Sequence, residues 1–204
     1  MVYESNGDFM NNEKKLMKFL KENNGYITTR DFLLLGINKT QIPKFIEEKL
    51  IRRVSRGIYI NNSLIEDEYY ILQKRYSNIV FSYNTAFHIL NLTNRTPFEI
   101  DITTIRSNRI RGDYNVHYVT EEKFNIGIIE IESSFGNPIK IYNAERNICD
   151  MLKSDCEIDL ELHNRILNKY FYSKDKDLDK LIEYSKIFNI YEKVNTIIEV
   201  MMRW

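Results

Sequence analysis

Apolar side chains near the start of the chain recur every three or four positions, which is the spacing of one helical face. The pattern covers residues 13–23, a brief stretch over 30–35 and a third stretch over roughly 39–49. Pro43 is tolerated in the first turn of a helix but costs a hydrogen bond deeper in, so the third helix starts between positions 38 and 40. We expect its core-facing side chains to be Ile42, Phe45, Ile46 and Leu50.

A hairpin pattern follows these helices directly. In residues 50–60 two short runs with strand character flank Ser55-Arg56-Gly57, and glycine in the turn permits a positive φ. Helices followed by a basic hairpin are the element order of a winged helix-turn-helix, which lays one helix in the major groove of DNA. The sequence therefore predicts a winged helix-turn-helix domain over residues 12–62.

The charge of the chain is divided unevenly between this segment and the rest. The 204 residues carry 29 basic and 29 acidic side chains and are neutral overall. Residues 10–62 hold 11 of the bases and only five of the acids, a net charge of +6, whereas residues 63–204 have a net charge of −4. A local excess of positive charge in a neutral protein indicates a module that binds a polyanion.

Seven polar side chains of this module are candidates for contact with DNA. Four would lie on the exposed face of the third helix, where they can reach base edges or phosphates. Three belong to the hairpin, whose tip arginine can enter the minor groove or bind a phosphate. An ordinary solvated basic face is the alternative interpretation. The candidates are Lys39, Thr40, Gln41 and Lys44 on the helix and Arg52, Arg53 and Arg56 on the hairpin.

The remainder of the chain, residues 63–204, alternates between strand and helix patterns. A helix over 64–76 joins the two modules without a linker rich in proline or glycine. The order of elements favours a mixed α/β domain with a helical C-terminal part, so the fold class is α+β. The expected strands are 79–81, 98–104, 116–119, 126–131 and 139–142, and the expected helices are 83–92, 144–152, 158–171, 176–188 and 191–201.

Three arginines stand close together within this otherwise acidic part of the chain. Arg106, Arg109 and Arg111 are interspersed with serine, asparagine and glycine, a composition typical of a mobile loop. We hypothesise that this loop extends the DNA-binding surface beyond the winged helix, because arginine binds phosphate oxygens well.

The sequence offers no ligand set for a metal and no loop for a cofactor. Cys149, Cys156 and His163 do not have the spacing of a zinc site, and the seven glycines form no phosphate-binding loop. Two cysteines are consistent with a reducing compartment. Neither a membrane-spanning apolar stretch nor a signal peptide is expected. We therefore expect a cytoplasmic protein that needs no metal and no cofactor.

Four acidic side chains form the best nuclease-like group in the sequence. Glu99 and Asp101 would lie on one strand, and Glu130 and Glu132 on a neighbouring one. Metal-dependent hydrolysis needs convergent carboxylates and commonly a lysine, but position 132 carries a glutamate where a lysine would be favoured. Alternating acids on a solvent-facing sheet surface explain the pattern more simply, so we expect no enzymatic activity.

Arg146 and Asp150 lie four positions apart in the predicted helix 144–152. They invite a functional interpretation, but an inward-facing structural network is the simpler one. As an ordinary pair on one helix they would contribute about 0.3–0.5 kcal/mol.

Three segments of the chain together resemble one family of bacterial proteins. Residues 81–97 (FSYNTAFHILNLTNRTP) and 136–152 (GNPIKIYNAERNICDML) are similar to two blocks of the AbiEi-family antitoxins. Residues 25–59 resemble the winged-helix module of the same family. The resemblance covers about residues 12–152 and extends more loosely to the helical tail.

This resemblance implies a type IV toxin–antitoxin system of the abortive-infection class, which acts in phage defence. It implies that the winged helix represses its own operon by binding inverted repeats in double-stranded DNA. It also implies that the C-terminal domain counteracts a nucleotidyltransferase toxin without forming a stable complex with it.

Two other functions stay open at this point. One is a repressor whose C-terminal domain senses a ligand, with no toxin involved. A nucleotidyltransferase reading frame immediately downstream would favour the antitoxin instead. The other is a metal-dependent nuclease, which Mg²⁺-dependent cleavage of DNA or RNA would reveal.

Overall fold

The computed structural model describes residues 6–153 and 160–202, with side chains from Phe9 onward. These residues form two compact units. The first contains the described residues up to Ser77 together with Ser133–Asn137, and the second contains Asn78–Glu132 and the described residues from Pro138 onward. The N-terminal unit thus extends beyond residue 62, the end of the predicted winged-helix domain.

The first unit contains the helices and the hairpin that the sequence predicts. Its three strands form an antiparallel sheet in the order β1-β3-β2. The elements are α1 (Asn6–Glu22), β1 (Tyr26–Thr28), α2 (Thr29–Leu34), a 3₁₀ turn (Lys39–Gln41), α3 (Ile42–Glu47), β2 (Ile51–Ser55), β3 (Ile58–Asn61) and α4 (Glu68–Arg75).

Side-chain caps fix where the short helices of this unit begin. Thr28 and Asp31 form a capping box at α2, in which the Asp31 carboxylate accepts a hydrogen bond from the Thr28 N–H at 2.8 Å. Asn38 caps the 3₁₀ turn by accepting from the Thr40 N–H at 3.0 Å. Pro43 lies in the first turn of α3, where its missing N–H costs nothing. The third predicted helix is therefore a 3₁₀ turn that continues into an α-helix.

Apolar side chains cover both faces of the small sheet. Ile27, Ile51 and Tyr59 pack against α1, α2 and α3 in one cluster. The other face carries a separate cluster that includes side chains from α4, so α4 belongs to this unit. Ile46 was predicted to face the core but is 37% exposed, so that prediction is wrong. The second cluster consists of Tyr26, Ile58 and Ile60 with Val54, Tyr70 and Ile71.

A buried aspartate holds the distant segment Ser133–Asn137 in this unit. Asp67 is 1% exposed and caps α4 by accepting from the Tyr70 N–H. Its other carboxylate oxygen accepts from the Ser133 hydroxyl and, at 2.8 Å, from the Asn137 side-chain amide. The carboxylate therefore receives three hydrogen bonds, which satisfies a charge that burial would otherwise penalise.

The second unit is built on a mixed five-stranded sheet in the order β6-β5-β4-β8-β7. The central strand β4 pairs antiparallel with β5 and parallel with β8, while β6 and β7 form the two edges. This architecture confirms the predicted fold class. The strands are β4 (Val80–Phe81), β5 (Ile100–Ile105), β6 (Tyr114–Val119), β7 (Ile128–Glu132) and β8 (Pro138–Tyr142).

Helices supply the apolar core of the second unit. The core cluster combines side chains of α5, α7, α8, α9 and α10. The bounds predicted for the last helix, 191–201, are confirmed. Of the described helices, none is long and apolar enough to cross a bilayer. The helices are α5 (Tyr83–Ile89), α6 (Glu121–Phe124), α7 (Ala144–Met151), α8 (Leu160–Tyr172), α9 (Leu178–Ile187) and α10 (Tyr191–Met201).

Arg146 is fully buried in this core and forms an ion pair with Asp150, Nε to Oδ2, at 2.8 Å. Its guanidinium also donates to the Ile126 carbonyl at 3.0 Å and lies 4.3 Å from the ring centroids of Tyr142 and Phe188. The inward-facing structural network is confirmed. Because the pair is buried, the value of about 0.3–0.5 kcal/mol for an exposed pair on a helix does not describe its contribution to the free energy of unfolding.

We expect Asp150→Asn to lower the free energy of unfolding by about 3–5 kcal/mol, because Arg146 would stay buried without its counter-charge. The matched control is Glu161→Gln, which breaks the i, i+4 ion pair between Glu161 and Arg165. The side chains of that pair are 81% and 53% exposed. That control should cost no more than about 0.5 kcal/mol. Urea denaturation of both variants measures the difference, and equal costs would contradict the role assigned to burial.

Candidate nucleic-acid interface

The 3₁₀ turn Lys39–Gln41 and the helix α3 that follows it together form a turn-helix element. Two of the four residues predicted to contact DNA from this element are exposed in its 3₁₀ turn. Lys39 and Thr40 are exposed in the 3₁₀ turn that leads into α3. The Asn38 cap fixes the backbone of this turn, so the two side chains project from a rigid start of the helix. They can reach phosphates and base edges of a duplex placed against α3.

The prediction that Gln41 lies on the exposed face is wrong. Its side chain is buried, and its Oε1 accepts a hydrogen bond from the Asn12 side-chain amide at 3.0 Å. Gln41 precedes Phe45 by four positions, so it lies on the same side of the element as that buried ring. Gln41 therefore links α1 to the turn.

Lys44 is exposed, but its ammonium group is held by α1. The Nζ atom lies 3.8 Å from the centroid of the Phe9 ring, and that ring stacks on Phe45 at 4.9 Å. A cation over an aromatic face is stabilised by the ring quadrupole. The contact was missed because the sequence pattern starts the first helix at residue 13, whereas α1 already includes Phe9.

The hairpin carries two exposed arginines, of which Arg53 donates from Nε to the Ser55 carbonyl at 3.2 Å, and a third arginine that forms an ion pair. Arg53 and Arg56 are exposed. The Arg52 guanidinium pairs with the Glu66 carboxylate and donates to the Leu64 carbonyl at 3.0 Å. Arg52 therefore braces the hairpin against the segment before α4.

The tip of the hairpin is fixed to the start of α2. Gly57 has a φ of +74°, a region that favours glycine, and its carbonyl accepts from the Thr29 N–H at 2.9 Å. A short and anchored tip places Arg56 at a defined position. Within the described part of this unit, Lys39, Arg53 and Arg56 form no ion pair, so their charges are available to a polyanion.

The arginine loop lies between two parallel strands of the second unit. Arg106, Arg109 and Arg111 are exposed and connect β5 to its parallel neighbour β6. Because Ile100 pairs with Tyr114, the loop must run back along the full length of β5. Parallel strands are usually joined by a longer crossover that contains a helix. Here the connection is a short segment without a helix.

The four carboxylates of the nuclease-like group do not converge. Asp101 lies on β5, whereas Glu130 and Glu132 lie on β7, and β4 and β8 separate the two strands. Three strand spacings correspond to about 14 Å. The prediction that these acids occupy neighbouring strands is therefore wrong, because strand order in a sheet depends on pairings between distant parts of the chain.

A cleft of about 320 Å³ in the second unit was not predicted from the sequence. Asp101 lines it and is 2% exposed; its Oδ1 is shared by His117 at 2.9 Å and the Asn115 amide at 2.7 Å. Tyr83, at a φ of 45°, stacks on the His117 ring at 3.8 Å. The Asn84 Oδ1 also lines the cleft and has no hydrogen-bond partner among the described residues. This cleft could accept a small ligand with hydrogen-bond donors.

The cysteine that the structure describes is not a metal ligand. Cys149 is buried in the helical core, and burial raises the pKa of its thiol to about 12, which disfavours the thiolate that a metal binds. Cys156 lies outside the described residues. Within the parts of the chain that are described, no three His, Cys, Asp or Glu side chains form a group that could hold a metal ion.

One segment of the first unit matches a known protein family. Residues 14–62 match the family described as transcriptional regulator, AbiEi antitoxin. The resemblance to AbiEi-family antitoxins is thereby confirmed in this segment, which contains the turn-helix element and the hairpin.

Comparison of folds extends over more of the chain. A crystal structure of the RV2827C protein from Mycobacterium tuberculosis is similar with a TM-score of 0.50 and 11% sequence identity. The similarity covers 93% of this chain and 81% of that one, and at this identity it concerns the fold alone. Among curated proteins, none matches this sequence.

Proposed function

We propose that this protein binds the inverted repeats of its own promoter as a transcriptional repressor. The observation that carries the proposal is the set of exposed cations without ion pairs on the turn-helix element and the hairpin, inside the segment that matches a transcriptional regulator family. Lys39 and Thr40 would contact the major groove, with Lys44 beside them. Arg53 and Arg56 would hold the flanking backbone, and the two halves of an inverted repeat would each bind one copy.

We further propose that the protein is the antitoxin of a type IV toxin–antitoxin operon. The family match names an antitoxin, which supports this part of the proposal. The second unit would counteract a nucleotidyltransferase toxin in the cytoplasm without a stable complex and without an enzymatic activity of its own. It would thereby take part in abortive infection as a phage defence.

A ligand-responsive repressor is the second candidate, and the cleft in the second unit favours it. Its volume is at the lower end of the range of small-molecule sites. In that case the second unit would report the level of a small molecule, and a nucleotidyltransferase gene would not accompany this one.

Arg56→Ala tests the hairpin contact. We expect weaker binding to the promoter fragment and to unrelated DNA alike, because a phosphate contact carries no sequence information. The slope of log K against log [salt] should become shallower by about 0.9 for the lost contact. The control, Arg165→Ala, removes an exposed arginine of the second unit that pairs with Glu161. A salt slope unchanged in Arg56→Ala would exclude this contact.

Charge reversal tests the arginine loop as an extension of the DNA-binding surface. A triple variant with glutamate at Arg106, Arg109 and Arg111 should bind the promoter fragment more weakly in a low-salt gel-shift assay, because three favourable charges become repulsive. The control reverses Arg165, Lys169 and Lys186, which are exposed on helices of the same unit. Unchanged binding by the loop variant would remove the loop from the interface.

Co-expression tests the antitoxin role. The full chain should restore growth to cells that express the product of the neighbouring downstream gene, and the Arg56→Ala variant should restore growth equally from a constitutive promoter. The reason is that neutralisation is assigned to the second unit and repression to the first. Continued growth arrest with the wild-type protein would contradict the antitoxin proposal and leave the DNA-binding proposal intact.

A further inference from the structure

Four exposed side chains of the turn-helix element follow a regular spacing. Thr40, Pro43, Lys44 and Glu47 are exposed and follow the spacing i, i+3, i+4, i+7. Homeodomains read bases in the major groove with four side chains of their recognition helix at the same spacing. The buried side of the element consists of Gln41, Ile42 and Phe45.

Glu47 is the unexpected member of this face. Glu47 was not among the residues predicted to contact DNA, and an acid on a DNA-binding surface repels phosphates. Among the described residues Glu47 has no hydrogen bond and no ion pair, and the nearby Lys44 ammonium is turned towards Phe9. The carboxylate is therefore not neutralised within its own unit.

The chemistry of a carboxylate restricts which base it can contact. An ionised carboxylate accepts hydrogen bonds and donates none. In the major groove guanine presents only acceptors, and thymine presents an acceptor and a methyl group. Adenine presents a donor beside an acceptor, whereas cytosine presents the N4 amino group as a donor alone. Cytosine is thus the base edge that matches Glu47 without placing two acceptors opposite each other.

We propose that Glu47 selects a cytosine in each half of the operator by accepting a hydrogen bond from the N4 amino group. This inference rests on the proposed DNA-binding function and names a base that the binding site must contain. It also explains the acid on this face as a filter, because the unpaired carboxylate would disfavour sites that carry guanine or thymine at that position.

The test is selection of binding sites from random duplex DNA by three full-length proteins: the wild type, Glu47→Gln and the matched control Glu48→Gln. Glu48 is the next residue, is also exposed, and lies beyond the last residue of α3 as its C-cap. Both variants remove one negative charge, so both should gain affinity for any DNA to a similar extent. Thermal melting confirms that each variant is folded.

The wild type should select a C·G pair at one position of each half-site. Glu47→Gln should lose that preference by about 5- to 150-fold and shift it towards adenine, the base that glutamine contacts best. Glu48→Gln should keep the wild-type preference. An unchanged preference in Glu47→Gln, or the same loss in Glu48→Gln, would overturn the inference while DNA binding stands. A wild type that selects no sequence would overturn the DNA-binding proposal and this inference with it.

Discussion

The small sheet of the N-terminal unit depends on apolar cover on both of its faces. A sheet of three strands is stable only when an apolar face is packed, and here each face has its own cluster, with α1, α2 and α3 on one side and α4 on the other. The hairpin is therefore a packed part of the core up to its last residues. Its exposed arginines are Arg53 on the edge strand and Arg56 at the tip.

The structure separates cations that stabilise the protein from cations that stay available. Arg52 pairs with Glu66, the ammonium of Lys44 lies on the Phe9 ring, and Arg146 is buried between two rings beside Asp150. Carboxylates compensate the charges of Arg52 and Arg146 within their own units, whereas the Phe9 ring fixes the position of the Lys44 ammonium without neutralising it. Positive net charge in a segment thus overstates the charge that a polyanion meets, because part of it is used internally.

The features that were predictable from the sequence depend on neighbours along the chain. Helical spacing placed the last helix correctly, and the glycine turn indicated the hairpin. The errors concern contacts between distant residues. Gln41 is buried because Asn12 reaches it from α1, and Asp101 is remote from Glu130 because two strands lie between theirs. The cleft lined by Asp101 and Asn115 also forms across β5 and β6, so no local signal could reveal it.

The extent of the N-terminal unit has a consequence for how the protein can be divided. A fragment that ends with the family match at residue 62 lacks α4, and the side chains of Tyr26, Ile58 and Ile60 would then lie bare against water. It would also lack the carboxylate at Asp67 and the segment 133–137 that this carboxylate binds. A fragment of that length would expose an apolar patch to water and would tend to self-associate through it. The segment that matches the family is therefore shorter than the compact unit in which its apolar side chains are covered.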